Sequence, residues 1–277
     1  MEYELDAVVP VLMPSPHLSI FRESLKHGYS GLRINYVLDF GQSEVDALKI
    51  ERNLKPFERC FTGNFGSPGA ARNHGLQFCE AEYVCFWDID DQPQINETVD
   101  LARILKANYS DVGIGNWTKI GNPQTIFGTS PKSVGKSPGI WRFVMSRHFI
   151  SDLKFTDYKW GEDQLFLIQM MARKPKITCS QKTLYSYSVL TQGALTTNKS
   201  LVSNLADVSE ASMEFLPQLN GGAKRCGEIM VLRQIITILK YGNWIMLWNS
   251  LKSLQAIRPR VLSVSNIART WIGKDEW

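Results

Sequence analysis

The residues best suited to chemistry lie in one stretch, Ser67 to Pro93, reading SPGAARNHGLQFCEAEYVCFWDIDDQP. At its centre stand Asp88, Ile89, Asp90 and Asp91. Side chains alternate along an extended chain, so Asp88 and Asp90 point to one side and Ile89 turns back toward the core. Two converging carboxylates repel unless a cation sits between them. Hard oxygen ligands of this kind suit Mg2+ or Mn2+, with substrate phosphates completing the shell. An acidic pair in a solvated turn has the same spacing, so the DxD alone does not decide the matter.

The elements around this centre are legible. Tyr83-Val84-Cys85-Phe86-Trp87 is an apolar run of β-formers and predicts a buried strand, which Pro93 cannot continue. Upstream, Pro68 suits the first turn of a helix, whose free N–H groups favour an anion. Arg72 adds a fixed fork of donors, with Asn73 beside it. A phosphate-friendly helix next to a metal-binding strand end is a site for a diphosphate compound.

The string SPGAARNHGL followed by YVCFWDIDDQP resembles the family 2 glycosyltransferases, which have the GT-A fold and use nucleotide-diphospho-sugar donors. A second motif, Trp160-Gly161-Glu162-Asp163-Gln164-Leu165-Phe166, is similar to the second signature of that family. The resemblance makes Asp163 the general base and Glu162 part of the acceptor site. Acidic residues in a first helical turn are also favoured by the helix dipole, which is the structural alternative. The resemblance further implies a nucleotide sugar held by Pro10, Asp39, Arg72, Asn73, Asp88, Ile89 and Asp90. The metal falls to Asp90 and Asp88, and the acceptor to Trp160 and Trp141. Asp39 matches the aspartate that holds the nucleobase, in a looser string, VLDFGQS. It suits a turn or helix cap equally well. No histidine follows Asp163, and His74, inside the Arg72-Asn73 helix, reads as a packing or polar residue.

The rest of the chain alternates between strands and helices. Strands are predicted at Asp6–Met13, Arg33–Asp39, Val112–Trp117 and Ile140–Ser146, with one or two more in Lys176–Val189. Helices are predicted at Leu18–His27, near Glu44–Leu54, at Asn96–Asn108, in a short piece opening at Arg147, and at Glu162–Arg173 with Leu165, Ile168, Gln169 and Ala172 on one stripe. This order predicts an α/β, Rossmann-like, mostly parallel sheet with ligands at the strand C-termini. Thr118–Gly139 reads as a long loop, either a flap or a surface insertion. From Leu201 onward the chain reads as helical, near Leu201–Leu216, Ala223–Tyr241, Trp244–Ala256 and Arg260–Trp271. The expected organisation is a catalytic domain over 1–200, with a nucleotide half 1–95 and an acceptor half 96–200, and a helical subdomain over 201–277.

The 277 residues carry a net charge of +4, with 44% apolar and 21% charged residues, which fits a globular protein with a sizeable core. Five scattered cysteines without a CxxC read as buried thiols in a reducing compartment. The opening MEYELDAVVPV lacks a signal-peptide pattern and no apolar run reaches membrane-spanning length, so a cytoplasmic protein is expected. Residues 222–277 hold nine basic and three acidic residues, a local charge of +6, together with four tryptophans. Such helices suit the inner face of a plasma membrane, a packed subdomain or an oligomer interface, so the oligomeric state stays open. No nucleic-acid motif is present.

The resemblance implies an inverting hexosyl transfer, from a nucleotide-diphosphate sugar (UDP being the family's habit) to a saccharide or lipid-linked saccharide in cell-surface polysaccharide assembly. A haloacid-dehalogenase-type phosphatase also places paired aspartates after a strand. Its DxDx[TV] motif stands early in the chain, whereas here the pair is late. A non-catalytic nucleotide- or carbohydrate-binding module on the same fold is the other alternative.

Overall fold

The computed structural model describes residues 3–13, 15–25, 30–39, 53–188, 202–241 and Trp248. They fall into two compact units, each passed through more than once. The first takes the described parts of 1–128, 140–157 and 176–191, and the second those of 129–139, 158–175 and 192–277. The Glu162–Asp163 motif belongs to the second.

The first unit is built on a nine-stranded mixed sheet. Its strands are β1 Leu5–Leu12, β2 Leu32–Asp39, β3 Glu58–Gly63, β4 Tyr83–Phe86, β5 Gln92–Pro93, β6 Val112–Lys119, β7 Asn122–Phe127, β8 Phe143–Ser146 and β9 Ile177–Tyr187. The order is β3-β2-β1-β4-β8-β6-β9-β5, with β7 paired to β6. Strands β3, β2, β1 and β4 run parallel, β8 is antiparallel to both β4 and β6, and β9 is again parallel to β6. β1 and β2 are buried along almost their whole length, as expected of a parallel sheet covered on both faces. The core between sheet and helices is made of side chains such as Leu5, Ala7, Val9, Leu32, Ile34, Cys85 and Trp87.

Among the described residues of this unit there are three α-helices: α1 His17–Ser24, α2 Pro68–Gln77 and α3 Ile95–Asn108. Helix α2 lies very close to the sheet at Gly75. A Cβ there would stand 2.6 Å from Val8 Cγ1 and 2.7 Å from Val37 Cγ2. Only glycine permits that approach. From β1 the chain runs outward through β2 and β3, then returns to lay β4 on the other side of β1. The gap beyond the C-termini of β1 and β4 is therefore a topological switch point, where open α/β sheets bind ligands.

The second unit is helical, with α4 Pro131–Lys136, α5 Glu162–Ala172, α6 Val202–Phe215 and α7 Gly221–Tyr241. Helix α5 is buried nearly all round, through Leu165, Phe166, Leu167, Ile168, Met170 and Met171. That differs from a single stripe carrying Gln169 and Ala172, because α6 and α7 pack around it as well.

Several sequence expectations change here. The edge strand β3 was not predicted, although Arg59-Cys60-Phe61-Thr62 has the mixed polar and apolar character of an edge. Thr118–Gly139 is no simple loop. Gly121, at φ +83, turns β6 back into β7, and Ser130 caps α4 by accepting the Ser133 N–H, with Pro131 at its first position. Ile140–Arg142 is a 3-10 turn, so the strand begins only at Phe143, and Arg147-His148 open a turn instead of a helix. Cys179 is exposed, whereas Cys79, Cys85 and Cys226 are buried. The helices expected near Glu44–Leu54, Trp244–Ala256 and Arg260–Trp271 lie mostly or wholly outside the described residues, as does the segment 189–201.

Candidate functional site

Three strand ends, those of β1, β2 and β4, border the switch point. β1 carries Pro10, half-exposed, paired in register with Val37 of β2. β4 pairs with β1 only over Leu5 to Val8, and the last contact is the Trp87 N–H donating to the Val8 carbonyl at 3.1 Å. In a strand, residues two apart direct their backbone groups to the same side. The missing N–H of Pro10 therefore faces the side that β4 has vacated, which is why a proline is tolerated in an interior strand. Asp39 ends β2, and one of its carboxylate oxygens accepts the Gly66 N–H at 2.8 Å. It thereby ties that strand end to the turn leading into α2, a task the sequence allowed beside nucleobase recognition.

Helix α2 begins as its sequence dictates, with Ser67 Oγ accepting the Ala70 N–H at 3.1 Å and Pro68 in the first turn. Arg72 is buried under it. Its guanidinium donates to Asp88 Oδ1 at 2.8 Å and lies 5.5 Å from the centre of the Phe155 ring. Asn73 has both ends of its amide engaged. Nδ2 donates to the Phe155 carbonyl at 2.7 Å, and Oδ1 accepts the Phe155 N–H at 2.8 Å. Asn73 thus anchors the 155 segment to α2. His74 sits among Phe61, Phe65 and Phe78, with ring centres 4.9–6.1 Å away, an aromatic packing role.

Trp87 is wholly buried, and the chain then emerges. Asp88 and Asp90 are half-buried, and Ile89 packs back against the core, as the alternation predicted. Sequence reasoning gave no role to Asp91, which turns inward and is only 5% exposed. Its Oδ1 accepts the Ser188 N–H at 2.6 Å, and the Tyr185 hydroxyl stands beside the carboxyl. Burial, and then the charge of Asp88, push the Asp91 carboxyl up to about 8, against the opposing pull of the Ser188 N–H and the Tyr185 hydroxyl. Tyr185 is wholly buried, and its oxygen accepts the Asp88 N–H at 2.9 Å. Burial, followed by Asp91 and Asp88, holds that phenol far above its ordinary range, so it stays a neutral hydroxyl.

Among the described residues no group of three or more His, Cys, Asp or Glu could by itself hold a metal ion. Asp88 and Asp90 offer a hard, anionic oxygen pair, which fits a divalent cation whose remaining ligands are phosphate oxygens and water. With Asp88 already engaged by Arg72, the fit is better for Asp90 as the main carboxylate ligand.

The second unit carries the other motif. Gly161 caps α5 at φ +88 in the left-handed region. A Cβ there would meet Leu205 Cδ1 at 3.2 Å and Val208 Cγ1 at 3.3 Å of α6, so both conformation and space select glycine. Glu162 is buried at 7% exposure and Asp163 is half-buried, with its Oδ1 accepting the Gln164 N–H at 2.8 Å. Trp160 is half-buried just before the cap. From α7, buried Gln234 donates its Nε2 to Gln164 Oε1 at 3.0 Å. No sequence signal singled out Gln234.

Trp141 is placed differently from an open sugar platform. It is 8% exposed, stacked on Tyr185 with ring centres 4.6 Å apart and on Tyr187 at 5.5 Å, and it meets Trp117 edge-on at 5.1 Å. Trp117 in turn stacks on Phe127 of β7 at 4.0 Å. This aromatic stack stiffens the ends of β6 and β9. Toward the C-terminus, Ile236, Leu239, Tyr241 and Trp248 are exposed, and no helix among the described residues is long and apolar enough to cross a membrane.

The family model described as Glycosyl transferase family 2 matches residues 47–174. Among curated relatives, the poly(ribitol-phosphate) β-N-acetylglucosaminyltransferase TarP of Staphylococcus aureus is 31% identical over 162 residues, covering 53% of this chain and 48% of the relative. The poly(ribitol-phosphate) β-glucosyltransferase of Bacillus spizizenii is 26% identical over 201 residues, covering 68% of this chain and 30% of the relative. The chain thus spans half or less of the length of these curated relatives. Among solved structures, the 1–349 fragment of S. aureus TarS in complex with UDP-GlcNAc has a TM-score of 0.72 at 17% identity, covering 94% of this chain and 83% of that one. A mannosyltransferase from Pyrobaculum calidifontis, in complex with GDP-Man and Mn2+, has a TM-score of 0.58 at 11% identity, covering 97% and 78%.

Proposed function

The chain carries a family 2 glycosyltransferase domain on a GT-A fold, and from that premise we propose that it transfers a sugar from a UDP-sugar to a hydroxyl of a cell-surface polymer with inversion at the anomeric carbon. The observation that carries this reading is the Arg72–Asp88 pair at the switch point, 2.8 Å apart and next to the half-buried Asp90. It joins a fixed cationic fork to an acidic strand end, the combination a nucleoside diphosphate and its cation need. The relatives named above act on poly(ribitol phosphate), so a phosphodiester-linked polyol is the first acceptor class to test, ahead of a lipid-linked saccharide.

In this reading Asp90, with Asp88, would hold Mn2+ or Mg2+, and the cation would supply neutralisation of the leaving group's charge. Arg72 orients Asp88 and adds positive charge on the same side. Pro10 and Asp39 border the nucleoside. Asp163 takes the proton of the acceptor hydroxyl as it attacks, and Glu162 and Trp160 contribute to acceptor binding. In-line displacement requires that base to act on the face of the anomeric carbon opposite the leaving diphosphate. Trp141 supports the site from within the aromatic stack. Peripheral contact of 222–277 with the inner face of a membrane is part of the same proposal, since it would bring the enzyme to a surface-bound acceptor.

The test is calorimetric titration of UDP, GDP, CMP and ADP with and without Mn2+, followed by transfer assays with UDP-GlcNAc and UDP-glucose onto poly(ribitol phosphate). Metal-enhanced binding selective for UDP and lost in Asp90→Ala supports the reading. No nucleotide binding under any condition sinks it and moves the phosphatase or binding-module alternatives forward.

A further inference from the structure

Of the three aspartates in the 88–91 loop, Asp91 alone is buried, and its carboxyl is held from the end of β9. We infer that Asp91 is a positioning residue, a buried clamp that ties this loop to the end of β9 and so fixes where the Asp88 and Asp90 carboxylates stand toward a metal–diphosphate group. This rests on the donor-site reading above and deepens it.

Four observations converge. Asp91 is 5% exposed while Asp88 and Asp90 are half-buried, so it does not share their outlook. Its Oδ1 takes the Ser188 N–H at 2.6 Å, a link across 97 residues of sequence. The Tyr185 hydroxyl stands beside the Asp91 carboxyl and accepts the Asp88 N–H at 2.9 Å, so one buried phenol touches both ends of the loop. Immediately afterwards Gln92 and Pro93 pair with Ser186 and Tyr185, and the Gln94 N–H donates to the Leu184 carbonyl at 2.8 Å.

The loop is therefore bracketed by β9 at Asp88, at Asp91 and again at Gln94. Within it the Asp91 N–H returns to the Asp88 carbonyl at 3.4 Å, closing a turn. Rotating Asp91 outward would add a third carboxylate beside two that already repel, and would leave the Ser188 N–H without its acceptor. Folding it inward leaves two carboxylates for the ligand, on a backbone that cannot slide.

The experiment compares Asp91→Asn, Asp91→Ala and Tyr185→Phe in the full chain. It reads the Mn2+-dependent gain in UDP affinity by calorimetry and the hydrogen exchange of the Asp88 and Ser188 amides. Asp91→Asn keeps an oxygen for Ser188 and should hold the gain within about threefold, whereas Asp91→Ala should lose about tenfold or more. The same Ala variant should also lose amide protection at both positions. If Asp91→Ala fails to fold, Tyr185→Phe, expected to expose the Asp88 amide and reduce the gain about threefold or more, carries the test. Full gain and full protection in Asp91→Ala overturn the inference. An equal loss of affinity in Asn and Ala variants with protection intact also overturns it, by making Asp91 a ligand. If the unsubstituted chain shows no Mn2+-dependent gain, the metal part of the donor reading fails. The amides alone then decide the clamp, which protection lost in Ala and kept in Asn supports and unchanged protection refutes.

Discussion

Gln234, buried on helix α7, donates to Gln164 at 3.0 Å, and the Gln164 N–H in turn donates to Asp163 at 2.8 Å. Helix α7 thus reaches the residue that immediately follows the proposed base. Removing the Gln234 amide frees Gln164 and loosens the first turn of α5. Gln234→Ala is expected to lower the transfer rate constant about tenfold, equivalent to about 1.4 kcal/mol, while UDP affinity stays unchanged. Turnover measured beside calorimetry checks it, and a parallel loss of UDP binding would contradict it.

Arg72 acts through geometry as well as charge. Lysine keeps the charge but not the planar fork that meets Asp88 while lying near the Phe155 ring. Arg72→Lys should weaken UDP binding in Mn2+ by about tenfold. Unchanged affinity would show that Arg72 serves packing alone.

Two glycines are set by space. Gly75→Ala drives a methyl against Val8 and Val37 and should cost about 1–3 kcal/mol as α2 is displaced from the sheet. Gly161→Ala forces a left-handed conformation on alanine and should cost about 1–2 kcal/mol. Chemical denaturation of both variants measures this.

Trp141 holds the aromatic stack against Tyr185, Tyr187 and Trp117. Trp141→Ala should destabilise the fold by about 3–5 kcal/mol. A variant of normal stability that fails only in acceptor binding would instead restore a direct sugar contact for this residue.

Acid stability has a defined sign. Arg59 and then Arg33 hold the Glu80 carboxyl at about 2, below its ordinary 4.5. A depressed carboxylate contributes stability above the unfolded value, and that contribution disappears as pH falls from there through about 2. The melting-temperature gap between the parent and Glu80→Gln should therefore be open at neutral pH and close in acid. A gap independent of pH would remove the ion pairs as its cause.

Much of the donor half was legible because its signals are local. The run Tyr83–Trp87, the alternation of Asp88, Ile89 and Asp90, and Ser67-Pro68 at a helix start each depend on neighbours a few residues away. The family resemblance carried by Ser67–Pro93 and Trp160–Phe166 added the GT-A fold. The edge strand β3 and the β7 hairpin were harder to read, since a short edge strand is fixed by what it pairs with more than by its own pattern.

What the sequence by itself determined is therefore the inventory: two acidic motifs, a cationic helix start, and alternating elements that predict a mostly parallel sheet, whereas the switch point at β1 and β4 is set by the strand order of the fold. Which acids face a ligand was decided only by tertiary structure. Asp91 is chemically the equal of Asp88 and Asp90 in the string, and its inward turn comes from Ser188 and Tyr185, partners close to a hundred residues away. Asn73 and Trp141 were likewise drawn into packing by Phe155 and by β9. Hydrogen bonds and ring stacks between distant segments leave no trace in local spacing, because the chain must fold before those groups meet.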